Sequence, residues 1–179
     1  LKGRAVRYLV SSIDTVNFGV VLFGDSSFAS IKLYNMNATD TLFIKDKIIS
    51  PPFYINSTLP SYLKPLDSVV ISLKFKPDLG GKHLSKLSIV SNTSSSSVND
   101  TLNIYLLGFM YPVKIKSFKN VQSGTLKFVY QLKSIDTLNF TKFEYSTNNE
   151  ITWVTTTNVQ GNLSNLIGDK IDTIYWNTL

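Results

Sequence analysis

Apolar and polar residues alternate in short runs along most of this chain, and turn-forming residues separate the runs. Seven such runs occupy the first 110 residues, at 15–24, 28–35, 41–49, 53–56, 68–76, 83–91 and 101–108. Because alternate residues of a β-strand point to opposite faces of a sheet, each run predicts a strand with one buried face. No window has a sustained helical period. The pattern therefore predicts an all-β chain that begins with a seven-stranded, immunoglobulin-like sandwich.

The buried faces of these strands predict the core of the first module. We expect this core to be formed by Phe18, Ile31, Leu33, Leu73, Phe75, Leu87, Ile89 and Ile104. Between the fifth and sixth runs, Pro77 lacks the N–H that a strand ladder needs, and Gly80 and Gly81 permit a positive φ. This stretch predicts a turn and carries no candidate chemistry.

Residues 111–179 carry a second set of alternating runs. Two strand faces and two tryptophans are expected to supply its core: Leu126, Phe128, Tyr130 and Leu132; Phe143 and Tyr145; Trp153 and Trp176. Four or five strands are few for a sandwich, and the last run still reads as a strand where the sequence stops. We therefore predict tandem immunoglobulin-like β-sandwiches, the second one partial and completed by further chain or by a strand of another chain.

Three stretches of the first module carry a family resemblance: VNFGVVLFGDSSFASIKLYN, LKPLDSVVISLKFKPDLGGKHLSKLSIVSN and TLNIYLLG. In order and spacing they resemble the ASPM/SPD-2/Hydin (ASH) family of immunoglobulin-like domains. The matching residues are Phe18, Gly19, Gly24, Asn35, Phe75, Pro77, Gly80, Ser91, Asn92, Leu106 and Gly108. Val20 departs from the family pattern, which usually has a residue such as Asn there. The resemblance implies a binding or spacer module without catalysis, and bacterial members often sit in tandem in large surface proteins.

A possible repeat defines the expected domain organisation. Leu106 and Gly108 form a Leu-x-Gly triplet, and Leu1 and Gly3 form another before the next alternating run. Such a triplet is common enough to recur by chance; a true repeat has a period of about a hundred residues, the size of one module. We expect residues 1–9 to be the end of a preceding repeat and a linker, 10–110 the ASH-like sandwich, and 111–179 the second, incomplete immunoglobulin or fibronectin type III-like sandwich.

Charge and composition narrow the classes of partner. The chain has 179 residues, a formal net charge of +6 and no cysteine. In stretches such as KIKSFKN the lysines alternate with apolar residues, which favours solvated strand faces over a nucleic-acid footprint. Without cysteine there are no disulfides and no thiolate metal ligands. No apolar stretch is long enough to span a membrane, and no signal-peptide pattern opens the chain.

An Asp-Thr/Ser-aliphatic triplet recurs more often than the composition predicts. Its hydroxyl residues are Thr15, Thr41, Ser68, Thr101, Thr137 and Thr173. One interpretation is structural: Asp turns the chain, the hydroxyl residue opens a strand and the aliphatic residue enters the core. In the other interpretation the triplet is similar to the acceptor for general O-glycosylation in the Bacteroidota, whose exported proteins carry sugars on such residues. Both remain open, and the six residues are candidate O-glycosylation sites.

The stretch STNNEITW (146–153) resembles a degenerate Asp-box, the Ser-x-Asp-x-Gly-x-Thr-Trp hairpin of sialidase propellers and many bacterial surface proteins. Ser146, Thr152 and Trp153 fit the motif, whereas Asn148 replaces its Asp and Glu150 replaces its Gly. In that motif the polar side chain caps a tight turn and the Trp packs beneath it. The resemblance therefore implies a structural hairpin.

A search for catalytic residues finds no constellation. His83 is the only histidine, and an exposed polar residue after the glycine turn is the expected role for it. With no second histidine and no cysteine, the usual zinc sites and catalytic triads cannot be assembled. The carboxylates are few and scattered. We therefore expect no enzyme activity, no cofactor and no metal.

Three functions remain. The first is a structural or interaction module for spacing, adhesion or assembly, exported to the surface of a bacterium, with other protein modules as partners through strand-edge pairing. The second is a carbohydrate-binding module, whose exposed coplanar aromatics would be Tyr54, Tyr62 and Tyr111. The third is an intracellular scaffold that binds protein partners, as the ciliary and centrosomal members of the ASH family do.

Overall fold

The computed structural model describes residues 8–122 and 124–178. Every regular element in those residues is a β-strand, which confirms the predicted all-β class. The strands are β1 (Leu9–Ser11), β2 (Thr15–Val21), β3 (Ser27–Asn35), β4 (Leu42–Ile48), β5 (Phe53–Ile55), β6 (Tyr62–Leu63), β7 (Ser68–Phe75), β8 (Gly81–Thr93), β9 (Asp100–Met110), β10 (Val113–Gln122), β11 (Thr125–Leu138), β12 (Phe143–Tyr145), β13 (Val154–Thr156), β14 (Val159–Gly161) and β15 (Leu166–Asn177).

The chain divides into two compact units. The first unit comprises Leu1–Pro77 and Lys82–Phe109, and the second comprises Asp78–Gly81 and Met110–Leu179. Residues 1–7 lie outside the described residues, so the structure bears on neither the expected preceding repeat nor its Leu1 and Gly3.

The first unit is a sandwich of two sheets. One sheet has the strand order β1-β3-β7-β5 and the other has the order β2-β9-β8-β4-β6. Side chains from both sheets fill the space between them. All eight residues predicted for this core are buried, with at most 6% of any of them exposed. The alternation of apolar and polar residues therefore predicted both the strands and their buried faces correctly.

Three phenylalanines join the two sheets at the centre of this core. The ring of Phe18 on β2 lies 5.5 Å from that of Phe53 and 5.8 Å from that of Phe75, and the rings of Phe53 and Phe75 stack at 4.9 Å. Gly108 on β9 completes the cluster, because a Cβ atom at that position would come within 2.5 Å of the Phe75 ring. Only glycine leaves room for the aromatic ring there.

Asn35, at the end of β3, holds together the loops at one end of the first unit. Its buried amide nitrogen donates to the carbonyl oxygens of Asp40, Leu63 and Lys64 at 2.9–3.1 Å. Its Oδ1 accepts the Asn37 N–H at 2.9 Å. One side chain therefore satisfies three carbonyls and one amide that would otherwise lack partners in a buried region.

All seven strands predicted for the first unit are present, with ends shifted by a few residues. The structure adds β1 and β6, two short strands that alternation could not reveal. β1 pairs with β3, placing Leu9 opposite Asn35. β6 contains only two residues, and Leu63 pairs with Leu42 on β4. Strands this short are defined by their partners, so no periodic signal precedes them.

The second unit contains a four-stranded antiparallel sheet, in the order β10-β11-β15-β14, and the two-stranded hairpin β12-β13. One face of the sheet, called the inner face here, carries the buried side chains Tyr130, Leu132 and Ile174. Phe140 and Phe143 pack against these residues and cover part of the inner face. The predicted face of β11 is confirmed, since Leu126 and Phe128 alternate in register with the buried Tyr130 and Leu132.

The Asp78–Gly81 segment belongs to the second unit, although the alternation placed it in the first module. Gly80 N–H donates to the Lys133 carbonyl at 2.7 Å, and the Gly80 carbonyl accepts the Ile135 N–H at 3.0 Å. A Cβ atom at Gly80 would come within 2.3 Å of Pro112, while Gly81 has a φ of 123°. Both glycines permit a close approach, since a Cβ atom at Gly81 would come within 2.7 Å of Ile135, and Gly81 also adopts the positive φ.

Candidate binding groove

The inner face of the second unit is only partly covered. Edge strand β10 places Ile115 opposite Tyr130 and Phe118 opposite Phe128, so both side chains belong to the inner face. Yet Ile115 is 55% exposed and Phe118 is 71% exposed, whereas Tyr130 is fully buried. Apolar side chains on the core face of a sheet normally pack against a second layer. Within the described residues, the β10 side of this sheet therefore carries apolar core-face side chains that no second layer covers.

A groove follows this open side of the inner face, and we call it the aromatic groove. Its volume is about 340 Å³, and the residues that line it are Ile115, Phe128, Phe140, Phe143, Glu144, Tyr145, Thr156, Val159, Ile174 and Trp176. Five of the ten are aromatic. The rings of Tyr145 and Trp176 lie 4.9 Å apart, and those of Phe140 and Phe143 lie 5.4 Å apart. A concave site of mostly apolar and aromatic side chains is the usual form of a binding pocket.

Tyr130 fixes the buried end of this face. Its hydroxyl donates to the Asn162 carbonyl at 3.1 Å, and its ring meets that of Phe140 edge to face at 5.4 Å. Burial raises the pKa of Tyr130, and the facing carboxylate of Asp172 raises it further. The hydroxyl therefore stays protonated at neutral pH and acts as a donor that holds the Asn162 loop against the sheet.

The opposite, outer face of the same sheet carries an ion pair. Lys133 Nζ lies 3.1 Å from Asp169 Oδ2, and Gln131 donates to the other oxygen of that carboxylate. These hydrogen bonds hold the pKa of Asp169 below its usual range, and the bond from Lys133 has a larger effect than the bond from Gln131. The outer face also exposes the apolar side chains of Ile171 and Tyr175, but the apolar groove lies on the inner face.

The free edge of β10 is basic. Its sequence, VKIKSFKNVQ, contains three lysines and no carboxylate. Lys114 pairs with Gln131 and Lys119 with Lys127 across the ladder, which places these two lysines on the outer face. β10 has a strand on one side only within the described part of the chain. A lysine-rich edge discourages pairing with another copy of itself.

The candidate O-glycosylation residues are spread over both units. Thr15 and Thr137 are exposed; Thr41, Ser68, Thr101 and Thr173 are half-buried. At Ser68, Thr101 and Thr173 the backbone N–H donates to the side chain of the preceding Asp at 2.8 Å.

The expectation that every copy of this motif begins a strand is wrong for two copies. Thr137 is next to last in β11, and Thr173 lies well inside β15. At these positions the strands continue to pair beyond the motif, since Leu138 pairs with Leu166 and Thr125 pairs with Asn177. The four copies in the first unit do stand at or beside strand starts.

The aromatic residues proposed for carbohydrate binding do not assemble as expected. Tyr54, Tyr62 and Tyr111 are 41%, 49% and 54% exposed. However, Tyr54 lies on β5 and Tyr62 lies on β6, in different sheets of the first unit, and Tyr111 belongs to the second unit. Tyr54 and Tyr62 therefore cannot form one coplanar platform.

The Asp-box-like stretch forms a hydrogen-bonded turn. Asn148 Oδ1 accepts the Thr152 N–H at 2.9 Å, and Ser146 Oγ accepts the Glu150 N–H at 3.0 Å. Trp153, however, is 54% exposed, so the prediction that it joins the core is wrong. Its turn is closed by the Asn148 and Ser146 side chains and by the Ile151 N–H, which donates to the Asn148 carbonyl at 3.3 Å. Trp176 is half-buried and packs against Tyr145.

The remaining candidates for chemistry are isolated. His83 is half-buried rather than exposed, because its ring packs edge-on against Phe75 at 5.6 Å. Among residues 8–122 and 124–178, no three His, Asp or Glu side chains come together as metal ligands would. A search of the same residues for a helix long and apolar enough to cross a membrane finds none.

The aromatic groove itself was not predicted from the sequence. Lysines alternate with apolar residues in KIKSFKN, but Ile115 and Phe118 are three positions apart and share a face only because of the β-bulge between Ile115 and Ser117. The alternation also cannot tell whether the apolar side is covered, because the covering layer comes from distant residues such as Phe140 and Phe143.

Comparison with protein-family models gave no match, and comparison with curated proteins gave none either. Among solved structures, the chain is similar to a protein of unknown function from Porphyromonas gingivalis W83, with a TM-score of 0.52 and 6% identity, over 96% of this chain and 84% of that chain. This likeness extends over both units, and at that identity it shows the fold alone.

Two further structures are similar over part of the chain. The ASH / PapD-like domain 7 of human CEP192 has a TM-score of 0.48 and 14% identity, over 62% of this chain and 96% of that domain. The VesB protease of Vibrio cholerae has a TM-score of 0.48 and 11% identity, over 57% of this chain. This chain spans about a third of VesB, or 32% of its length.

Proposed function

We propose that the chain is a non-catalytic interaction module and that its second unit binds an extended segment of another protein beside β10. The observation that carries this proposal is the exposed core face: Ile115 and Phe118 lie on the inner face, yet more than half of each side chain is exposed. A strand added to the free edge of β10 would gain main-chain hydrogen bonds and cover the aromatic groove.

The charge of β10 specifies the chemistry of this segment. In an antiparallel or parallel ladder, alternate residues of the added strand would face the groove and the others would face outward. The groove requires apolar residues at the first set of positions. The outward set would lie beside Lys114 and Lys119, where cross-strand carboxylates are favourable by about 0.2–1 kcal/mol each. The proposed partner segment therefore alternates apolar with acidic residues.

A designed peptide tests this proposal. The peptide has ten residues, the length of β10, with Val, Ile or Leu at alternate positions and Asp or Glu between them. We expect it to bind the 179-residue chain in fluorescence anisotropy and to protect the β10 amides from hydrogen exchange. A peptide of the same composition with its apolar residues in one block should bind at least about tenfold more weakly.

A matched pair of variants locates the site. Ile115→Thr removes apolar surface from the inner face, and Ile171→Thr makes the same change on the outer face, where Ile171 is 63% exposed and pairs with Gln131. We expect only Ile115→Thr to weaken peptide binding. Equal binding of the two peptides, or an equal effect of the two variants, would refute the proposed site.

We also propose that the first unit is an ASH-like spacer within a larger exported bacterial protein. The support comes from the residues of the sequence resemblance, because Asn35, Phe75 and Gly108 each have a defined structural task in this sandwich. The recurring Asp-Thr/Ser-aliphatic triplet supports export. An intracellular ASH-type scaffold is the alternative, and the sugar content of the native protein distinguishes the two.

A further inference from the structure

The first unit has a concave surface of its own, which lies on the outer face of the β2-β9-β8-β4-β6 sheet. Leu63, Leu42 and Thr93 form a buried cross-strand row on three neighbouring strands. The next row, Tyr62, Phe43 and Asn92, must therefore point to the outer face. Tyr62 is 49% exposed and Phe43 is 37% exposed. Two aromatic rings thus stand side by side on the surface, next to the half-buried Asn92, whose Oδ1 is itself buried.

A loop of hydroxyl groups borders this row. A pocket of about 320 Å³ is lined by Phe43, Lys45, Asn92, Thr93 and the serines 94–97. The loop is held in place from behind, because Ser95 Oγ donates to Asp40 Oδ2 at 2.6 Å and Ser94 N–H donates to the Thr41 carbonyl at 2.8 Å. The pocket therefore combines an aromatic wall with a fixed set of hydroxyl and amide groups.

The charge of the pocket is a single cation. Lys45 is the one charged residue among those lining it, and its Nζ lies 5.2 Å from the centroid of the Phe43 ring. An ammonium group over an aromatic face is weakly held at an exposed site, so it can turn to meet an anion. The nearby Asp40 carboxylate is already engaged by the serine loop.

We propose that this pocket binds an oligosaccharide that carries a carboxylate. The C–H face of a sugar ring suits the negative faces of Phe43 and Tyr62. Sugar hydroxyls can exchange hydrogen bonds with the Asn92 amide and the serine hydroxyls. A single carboxylate on the sugar complements Lys45. A nucleic acid fits less well, because one cation cannot match a row of phosphates.

Titrations of the 179-residue chain with matched sugars test this proposal. The probes are sialyllactose and aldotetraouronic acid, with lactose and xylotriose as their neutral counterparts. We expect at least one acidic sugar to bind in calorimetry and to shift the NMR signals of residues 43–45 and 92–97. Its neutral counterpart should bind at least about tenfold more weakly, since the contact with Lys45 is lost.

Two pairs of variants provide the controls. Phe43→Ala and Lys45→Ala should each weaken binding by about tenfold or more. Phe28→Ala and Lys74→Ala change another lysine–phenylalanine pair, on the other sheet, with 5.4 Å between the Lys74 Nζ and the Phe28 ring centroid, and should leave binding unchanged. Thermal unfolding checks that each variant is folded, and Tyr62→Ala gives a second test of the aromatic wall.

Three outcomes would overturn the proposal. The first is that neither of the two acidic sugars binds. The second is binding that survives both Phe43→Ala and Tyr62→Ala. The third is tighter binding of a short oligothymidine than of any sugar, which would assign the surface to single-stranded nucleic acid. None of these results depends on the peptide site of the second unit, so the two proposals can fail separately.

Discussion

At the scale of single residues, the first unit depends on a buried asparagine more than on any charged group. Asn35 is 1% exposed and takes part in four hydrogen bonds, which link the β3–β4 loop to the segment at the end of β6. A net hydrogen bond contributes only about 1 kcal/mol, but a buried carbonyl left without a donor costs about 1–3 kcal/mol. The loss of this side chain should therefore cost more than the sum of ordinary hydrogen bonds.

We predict that Asn35→Ala lowers the free energy of unfolding of the first unit by about 3 kcal/mol or more. Urea unfolding followed by far-UV circular dichroism measures the change. Asn56→Ala is the control, because Asn56 is exposed and should change stability by no more than about 0.5 kcal/mol. Equal effects of the two substitutions would show that the Asn35 hydrogen bonds do not hold the loops.

At the scale of strands and sheets, the two layers of the first unit meet where a glycine faces an aromatic ring. We predict that Gly108→Ala destabilises the unit by about 1–3 kcal/mol, because the added methyl group overlaps the Phe75 ring. In a chain that also carries Phe75→Leu, the same Gly108→Ala change should cost much less. A double-mutant cycle from urea unfolding measures this coupling, and additive effects would contradict the proposed contact.

The strands of this fold can be predicted from local sequence, but the contacts that bury or expose their neighbouring residues cannot. Ile71, Leu73 and Phe75 alternate with polar residues, so a strand with one buried face is readable without any partner. Trp153 was expected in a core because large aromatic residues usually are buried. It is exposed because Asn148 and Ser146 close its turn with hydrogen bonds. Such an outcome depends on local polar contacts that periodicity does not encode.

The same distinction explains what the sequence revealed of the candidate sites. Lys114 and Ile115 indicated a strand with one polar and one apolar side, but exposure of the apolar side depends on residues more than 20 positions away. Phe43 and Asn92 are separated by 49 positions and meet only through the pairing of β4 with β8. Cross-strand register is set by the whole sheet, so a local pattern cannot predict which residues share a surface row.

At the scale of the whole molecule, the candidate sites use different parts of immunoglobulin-like architecture. The second unit offers a sheet edge and an open core face, which suit an extended protein segment. The first unit offers an outer sheet face and a serine loop, which suit a small polar ligand. Neither site relies on a titratable group with a catalytic geometry. Both are therefore consistent with recognition as the task of the chain.

Export and glycosylation are also tested at the scale of the whole molecule. If the Asp-Thr/Ser-aliphatic triplets are acceptors in an exported protein, the intact mass of the chain from its native cells should exceed the 20.0 kDa of the bare polypeptide. Fragmentation should place sugars first on Thr15 and Thr137, the two exposed candidates. Thr15→Val should remove one sugar mass, whereas Thr155→Val, an exposed control outside the motif, should remove none. A bare mass would leave the triplets as turn formers and favour the intracellular alternative.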